Sequence, residues 1–417
     1  MPTEGEPDPT AARAWLLTAS GSAALSAAGR TTHDGDPVRA AAALRRELPD
    51  LSPAQAAAVQ EQVTLRALAR DRYGLPGERL LLTRDGLEQA TRPEVARYRA
   101  ELLRANGVRR VVDLTAGLGF DAAAFVAAGL TVTAVERDPT VADFCRVNVP
   151  GAMVLTGDAT DPIVLGGLLE DLDASDVVFV DPARRDPDAA RDLRTARSRP
   201  ERDPERWSPP WSFVESLPHP RVAAKVAPSF GPPANWWATW SSVSRVVVEC
   251  GAYSWPVFAP GRRALIHRGG ETLTVDGVDD DLPIASAVGP WLVEIDPALG
   301  LAQATAALGT TVPTLSRVGA ESTWLCADVD PAGRLEGLAR VFEVTTELSG
   351  SRTDMRRELR RRSVDRLTVK CRDAGVDPRQ VLRDLGCAEG PGAVLVVTRR
   401  DGRSISLLAQ PAPPRSI

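Results

Sequence analysis

Between Arg110 and His267 the apolar positions fall in short runs that alternate with longer mixed stretches. The short runs are rich in valine and apolar throughout, which is typical of strands buried on both faces of a sheet. The stretches between them carry helix-starting residues followed by apolar residues at helical spacing. This alternation predicts an α/β fold with a parallel, doubly wound sheet. Its strands are predicted at residues 111–114, 131–135, 153–155, 177–180, 222–226, 246–248 and 263–267.

The regions on either side have different patterns. Residues 36–72 and 93–105 are predicted to be helical, with Ser52 as an N-cap and Pro53 in the first turn. From residue 342 the predicted elements follow in the order β-α-β-α-β-β, which indicates a compact α+β domain. We therefore predict five segments: a disordered tail at 1–12, an N-terminal helical region at 13–105, a sheet domain at 106–270, a connecting region at 271–340 and a small α+β domain at 341–417.

The composition is that of an ordinary globular chain, with 417 residues of which 43% are hydrophobic and 25% charged. No apolar run approaches the roughly 20 residues that a membrane span needs. The first ten residues lack the basic start of a signal peptide. Five scattered cysteines and three histidines favour neither a disulfide framework nor a metal site. We therefore expect a cytoplasmic protein with reduced thiols, no membrane segment and no metal.

Charge is distributed unevenly along the chain. Residues 345–417 carry 15 basic and 9 acidic side chains, whereas the rest of the chain has a net charge of −11. A basic module on an acidic body is typical of a protein that faces nucleic acid. Every basic residue except Lys225 and Lys370 is an arginine, which indicates GC-rich coding. The abundance of arginine alone is therefore a weak indicator of phosphate binding.

A glycine-rich turn follows the first predicted strand, in the sequence Asp113-Leu-Thr-Ala-Gly117-Leu-Gly119. Glycines let the backbone approach a ligand closely, and the helix that follows offers free amide groups. Glu136 ends the second strand, where a carboxylate can accept both ribose hydroxyls of an adenosine. Taken alone, this pattern also fits a dinucleotide-binding fingerprint, because Gly117, Gly119 and Ala122 have the matching spacing.

Two further acids favour a different cofactor. Asp158 follows the third predicted strand, and Asp181 follows the fourth, at the start of Asp181-Pro182-Ala183-Arg184. The series of acids at four successive strand ends resembles that of class I S-adenosylmethionine-dependent methyltransferases. The resemblance implies a Rossmann-like doubly wound sheet that binds S-adenosyl-L-methionine.

The chain also resembles the methyltransferases that carry a C-terminal THUMP-like domain, from about residue 80 to the end. The order of six short motifs carries this resemblance. They are Leu87-Glu88-Gln89-Ala90-Thr91-Arg92, Asp181-Pro182-Ala183-Arg184-Arg185, Lys225 with Pro228, Val248-Glu249-Cys250, Leu367-Thr368-Val369-Lys370-Cys371-Arg372 and Val396-Val397-Thr398-Arg399.

The resemblance implies methyl transfer to a base of RNA, either tRNA or rRNA, because THUMP modules accompany RNA-modifying enzymes. The C-terminal basic domain would then hold the RNA. The implied catalytic residues are Asp181, Pro182, Arg184 and Lys225, with Asp181 positioning the target. The implied cofactor-binding residues are Asp113, Thr115, Gly117, Gly119, Glu136, Asp158 and Asp181.

Departures from the usual pattern leave the acceptor atom open. Nucleobase amino-methyltransferases usually have Pro-Pro-aromatic after the acid, whereas Ala183 and Arg184 stand here, which argues against an N6-adenine target. Residues 184–211 are predicted to be a solvated loop. Within this loop Arg184 could stack on a base, contact a phosphate or pair with a neighbouring acid. Cys250 is the candidate nucleophile for pyrimidine C5 methylation. The basic run at 356–362 predicts either an RNA-facing or a solvated helix face.

Two other functions remain open from the sequence. A small-molecule or protein acceptor is favoured by the overall net charge of −5. A catalytically inactive RNA-binding protein would have the same fold without cofactor binding. The sequence does not predict the oligomeric state.

Overall fold

The computed structural model describes residues 9–30, 37–74, 79–183, 201–259, 261–348 and 351–412. The chain divides into two compact units. The first unit comprises Met1–Val226 and Ala252–Val257, and the second comprises Ala227–Gly251 and Phe258–Ile417.

The first unit begins with helices. Ser52 and Gln55 form a capping box at the start of the longest of them, with Pro53 in its first turn, which confirms the predicted start. The predicted tail overlaps the first helix at residues 9–12, because proline is well tolerated at a first helical position. Residues 1–8 of that tail lie outside the described residues. The helices are α1 (Pro9–Trp15), α2 (Ala19–Arg30), α3 (Pro37–Glu47), α4 (Pro53–Tyr73), α5 (Arg84–Glu88) and α6 (Pro93–Ala105).

Alternating strands and helices follow in the same unit. They are β1 (Arg110–Asp113), α7 (Phe120–Ala127), β2 (Thr131–Glu136), α8 (Pro139–Asn148), β3 (Met153–Thr156), α9 (Pro162–Leu169), β4 (Val177–Val180), α10 (Trp211–Ser216) and β5 (Val222–Val226). The five strands form a parallel sheet in the order β3-β2-β1-β4-β5. Every residue of β4 and β5 is buried, which is why these strands are apolar throughout in the sequence. The predicted doubly wound α/β sheet is confirmed.

The second unit holds β6 (Trp237–Val243), most of β7 (Val246–Tyr253), β8 (Arg262–Arg268) and β9 (Glu271–Asp276). Strand β8 pairs with β6 in parallel and with β9 in antiparallel orientation. Neither β6 nor β9 was predicted from the sequence. In β6 the polar side chains of Thr239, Ser241 and Ser242 are buried, so the strand lacks the apolar pattern that marks the others.

A second, eight-stranded sheet completes this unit, in the order β11-β12-β10-β13-β17-β16-β14-β15. The elements predicted from residue 342 onwards occur in the predicted order, with one short unpredicted strand, β15, before the last two strands. Three further unpredicted strands, from the stretch 291–327, belong to the same sheet. The bounds of the five predicted segments stay predictions. The elements are β10 (Trp291–Ile295), α11 (Pro297–Leu301), α12 (Leu308–Thr311), β11 (Ser316–Arg317), β12 (Leu325–Ala327), β13 (Ala339–Leu348), α13 (Arg352–Arg361), β14 (Arg366–Cys371), α14 (Pro378–Leu385), β15 (Ala388–Glu389), β16 (Ala393–Arg400) and β17 (Arg403–Pro411).

Candidate active site

A cavity of about 380 Å³ lies at the carboxyl edge of the five-stranded sheet in the first unit. The register places Asp113, at the end of β1, beside Ala134 of β2 and Phe179 of β4. The strand order reverses between β1 and β4, and ligands of doubly wound sheets bind at such a reversal. The volume is within the range of about 300–1,000 Å³ that is usual for small-molecule sites.

The structure brings most of the predicted site residues to this cavity. Pro182 is buried and does not line it, and Arg184 lies outside the described residues. Gly119 does not line it either. The predicted residues that do are Asp113, Thr115, Gly117, Glu136, Asp158, Asp181 and Lys225.

Gly119 has a packing role, and its predicted role in cofactor binding stays a prediction. It precedes α7 with a φ of 85°, in the left-handed region that favours glycine. A Cβ atom at this position would lie 2.5 Å from Val149 Cγ2 and 2.8 Å from Cys145 Sγ. Gly119 therefore allows the start of α7 to pack closely against the end of α8.

Glu136 holds the glycine-rich turn in place. Its Oε2 accepts a hydrogen bond from the Gly117 N–H at 3.0 Å, and its Oε1 accepts one from the Asp138 N–H at 2.8 Å. Gly117 itself has a φ of 54°. The carboxylate thus links the turn after β1 to the start of α8, and Glu136 and Gly117 both line the cavity.

Asp113 and Thr115 connect the ends of β1 and β4. Asp113 is 1% exposed, and its Oδ1 accepts a hydrogen bond from the Thr115 N–H at 3.1 Å. Thr115 Oγ1 accepts a hydrogen bond from the Asp181 N–H at 2.6 Å. Burial raises the pKa of Asp113 well above its ordinary value, and the nearby Asp121 carboxylate raises it further.

Asp181 and Lys225 form an ion pair at the cavity. Lys225 Nζ lies 2.5 Å from Asp181 Oδ2 and also donates to the Gln89 carbonyl oxygen at 3.3 Å. The side chains are 10% exposed for Lys225 and 28% for Asp181. Burial raises the pKa of Asp181, and the ammonium group of Lys225 opposes that rise. Within the described part of the chain, Asp181 Oδ1 accepts no hydrogen bond.

The segment between α5 and α6 forms another wall, which includes Gln89 and Thr91. Thr91 Oγ1 donates to Asp121 Oδ2 at 2.5 Å, and the other oxygen of Asp121 pairs with Arg99. All three members of this network are at most 7% exposed. Sequence reasoning had singled out this segment as a motif but had given its residues no role at the site.

Asn148, at the end of α8, joins the segment that precedes α5 to the glycine-rich turn. Its side chain accepts a hydrogen bond from the Leu81 N–H at 2.8 Å and donates to the carbonyl oxygens of Leu81 and Leu118, each at 3.0 Å. Leu118 belongs to the glycine-rich turn. The N-terminal helical region is therefore attached to that turn and supplies part of the cavity wall.

Asp158 and Arg137 also line the cavity. Asp158 accepts hydrogen bonds from the N–H and the hydroxyl of Thr160, at 2.9 and 2.7 Å, and these lower its pKa. Arg137 donates to Ser208 Oγ at 3.2 Å, and both residues line the cavity. Sequence reasoning missed this pair, because no local pattern joins residues 71 positions apart.

Charge and donor chemistry indicate what the cavity suits. Five carboxylates and two cationic side chains are among the described residues that line it. A ligand that carries a positive charge and hydroxyl groups, such as a sulfonium-bearing nucleoside, would fit such a wall.

Cys250 is fully buried in β7 and does not line the cavity, so it is not placed as a nucleophile there. No group of three metal-ligating side chains is found in the described ranges, and no helix there is long and apolar enough to cross a membrane.

The fold around this site is similar to that of a solved structure that is described as a putative methyltransferase. Residues 339–411 match the family model described as THUMP domain-like, and residues 8–69 match a domain of unknown function, DUF8688. No curated protein matches the chain. The predicted resemblance to a methyltransferase fold with a C-terminal THUMP-like region is confirmed.

One solved structure supports this fold. A "putative methyltransferase" from Porphyromonas gingivalis W83 is similar over 97% of this chain and 98% of its own, with 19% identity and a TM-score of 0.70. The N-terminal domain of human METTL16 in complex with SAH is similar over 47% of this chain and 82% of its own, with 15% identity and a TM-score of 0.29. Only the first of these two similarities is strong enough to support the fold.

Proposed function

We propose that this chain is an S-adenosylmethionine-dependent methyltransferase whose acceptor is RNA. One observation supports the first part most strongly: the acids that end or follow four parallel strands line a single cavity. These acids are Asp113, Glu136, Asp158 and Asp181. A dinucleotide site accounts for the first two acids, but it gives no role to the other two.

The residues present fit S-adenosyl-L-methionine. Glu136 would accept hydrogen bonds from the ribose hydroxyls, and Asp158 would accept one from the adenine amino group. The turn at Gly117 lets the backbone come close to the ligand, and the acidic wall of the cavity favours its positive charge. When bound, S-adenosyl-L-methionine supplies a methyl group on a cationic sulfur, which is already activated for transfer.

Asp181 is the residue that we assign to the acceptor. Its Oδ2 is held by Lys225, which leaves Oδ1 to accept a hydrogen bond from an N–H or O–H of the acceptor. Correct orientation of two reactants can contribute up to about 7–11 kcal/mol. A carboxylate that takes the acceptor's proton adds a factor of about 10²–10⁴. The cation of Lys225 favours the ionised form of Asp181, which both tasks use.

The RNA acceptor is supported by the second unit. The THUMP domain-like match covers residues 339–411, and residues 345–417 have a net charge of +6. Positive modules of this kind bind the phosphate backbone of nucleic acids. A small-molecule acceptor is the rival, and the net charge of −11 on the rest of the chain is the observation that favours it.

Calorimetric titration of the full chain with S-adenosyl-L-methionine tests the cofactor half of the proposal. We expect saturable binding with one site per chain, which Glu136→Gln weakens because the ribose contact is lost. Glu170→Gln is the matched control, since Glu170 does not line the cavity. A wild-type chain that binds no S-adenosyl-L-methionine would contradict the proposal and favour an inactive RNA-binding protein.

A further inference from the structure

The second unit has a groove of about 840 Å³ that is separate from the cavity described above. Its walls come from the ends of β8 and β17, from β13 and β14, and from the turn that precedes β13. Three cationic side chains, Arg268, Arg340 and Lys370, line it, against one acidic side chain, Glu336. The groove therefore carries a net positive charge.

Two of these cations are available to a ligand. Arg268 and Arg340 are exposed, and neither forms an ion pair with any residue that the structure describes. Two exposed guanidinium groups without such a partner, in one groove, favour a polyanionic ligand, because the planar guanidinium matches the oxygens of a phosphate.

A glycine helps to position Arg268. Gly337 has a φ of 79°, and a Cβ atom there would lie 3.1 Å from Arg268 Nη1 and 2.5 Å from Leu273 Cδ1. A side chain at position 337 would therefore press against the guanidinium group. With glycine there, the arginine can lie over the backbone of the turn at the groove wall.

Lys370 has a different part in the groove. Its Nζ lies 2.9 Å from an oxygen of Glu294, whose side chain is only 4% exposed, and 5.7 Å from the centre of the Phe342 ring. Arg372 also pairs with Glu294. Lys370 thus neutralises a buried carboxylate, and its removal would leave that charge uncompensated.

The groove lacks a surface for base stacking. Among the described residues that line the groove, Phe342 is the one aromatic residue, and it is 4% exposed, so its ring is covered. Proteins that hold single strands by their bases use exposed aromatic rings. Cations without exposed rings contact the phosphates, which give affinity and position but no sequence preference.

We propose that this groove binds the sugar-phosphate backbone of RNA, with Arg268 and Arg340 as the phosphate-contacting residues. The proposal rests on the RNA acceptor proposed above and adds where the strand is held. The net charge of +6 over residues 345–417 extends the positive potential beyond the groove, as a long polyanion requires. An acidic protein is the other possible partner, and the experiment below separates the two.

The groove is tested by the affinity of the full chain for a fluorescein-labelled oligouridylate of about 12 nucleotides. The affinity is measured by fluorescence anisotropy at a series of KCl concentrations. Each phosphate contact with a single strand contributes about 0.7 to the slope of log K against log salt. We expect the double variant Arg268→Gln, Arg340→Gln to lose about 1.4 from this slope and to bind about 25-fold more weakly near 0.1 M salt. Near 1 M salt its affinity should equal that of the wild type.

Arg403→Gln is the matched control for each single variant, Arg268→Gln and Arg340→Gln, because it also removes one positive charge, but from the opposite end of β17 to the groove. Wild-type affinity in the double variant, or a loss in Arg403→Gln equal to that of the single groove variants, would overturn the proposal. So would equal competition by polyglutamate of the same charge, which would indicate an acidic protein. Titration of the double variant with S-adenosyl-L-methionine should match the wild type. Failure of the groove is thereby distinguished from failure of the methyltransferase proposal.

Discussion

Asp113 is the most buried of the acids that line the cavity, and its burial has a thermodynamic consequence. Because burial raises its pKa, the native state binds the Asp113 proton more tightly than the unfolded state does. The contribution of Asp113 to stability is therefore complete at low pH. It is lost as the pH rises from the ordinary range of an aspartate through the raised pKa.

We expect Asp113→Asn to stabilise the free protein at pH 7–8, because it removes the cost of ionising a buried carboxylate. The same variant should bind S-adenosyl-L-methionine at least about tenfold more weakly, a loss of about 1.4 kcal/mol. Thermal unfolding across pH 5–8 and calorimetry check the two effects. Asp158→Asn is the control of opposite sign, because hydrogen bonds lower the pKa of Asp158. If Asp113→Asn lowers the unfolding temperature at pH 8, the assigned burial effect is wrong.

Lys225 controls the protonation of Asp181. Burial raises the pKa of Asp181, and the ammonium group of Lys225 opposes that rise. Removing the ammonium group should therefore raise the pKa of Asp181 further. Lys225→Met should therefore shift the acidic limb of kcat/KM to higher pH, whereas Lys225→Arg should restore the wild-type profile. Asp181→Asn should lower kcat by about 10²–10⁴. Its affinity for S-adenosyl-L-methionine should change much less. An unshifted limb in Lys225→Met would show that Asp181 is not the group that titrates in catalysis.

At the scale of elements, the two glycines of the turn after β1 have separable roles. Gly119→Ala would place a Cβ against Val149 and Cys145 at a positive φ, and we expect it to destabilise the protein by about 2–4 kcal/mol. Gly117→Ala meets no atom within 4 Å, so it should cost about 1–2 kcal/mol from backbone strain alone. Urea unfolding measures both. Equal losses in the two variants would contradict the packing role of Gly119.

The elements that the sequence predicts well are those whose local pattern matches their burial. Helix α6 is predicted at 93–105 and has those bounds, and β4 and β5 are apolar because both faces are covered. Strand β6 escapes prediction because its buried face uses serine and threonine hydroxyls. Strands β11 and β12 escape because they have only two and three residues, and β10 escapes because it pairs with β12 across more than 30 positions in the chain.

The candidate site also has features that the sequence predicts and features that it does not. Acids at the ends of parallel strands can be predicted to meet, because the strand order brings those ends to one edge of the sheet. The contact between Gln89 and Lys225 cannot be predicted from the sequence, because the two residues are 136 positions apart and only tertiary packing joins them. The packing role of Gly119 was also hidden, because its spacing within the turn fits a ligand-binding glycine equally well.

At the scale of the whole molecule, two features are assigned to different parts of the chain. The cavity and its acids lie within the first unit, whereas the basic C-terminal region and its groove lie within the second. Methyl transfer to RNA needs both a cofactor site and a surface that holds a polyanion. A small-molecule methyltransferase would need only the first of these.

Transfer of radiolabel from S-adenosyl-L-methionine to total RNA, from cells that lack this protein, tests the central claim most directly. We expect label in nuclease-sensitive material with the wild-type chain and at least about a hundredfold less with Asp181→Asn. Nucleoside analysis would then identify the methylated atom. If the wild-type chain binds the cofactor but leaves RNA unlabelled, the RNA acceptor is wrong and a small-molecule or protein acceptor takes its place.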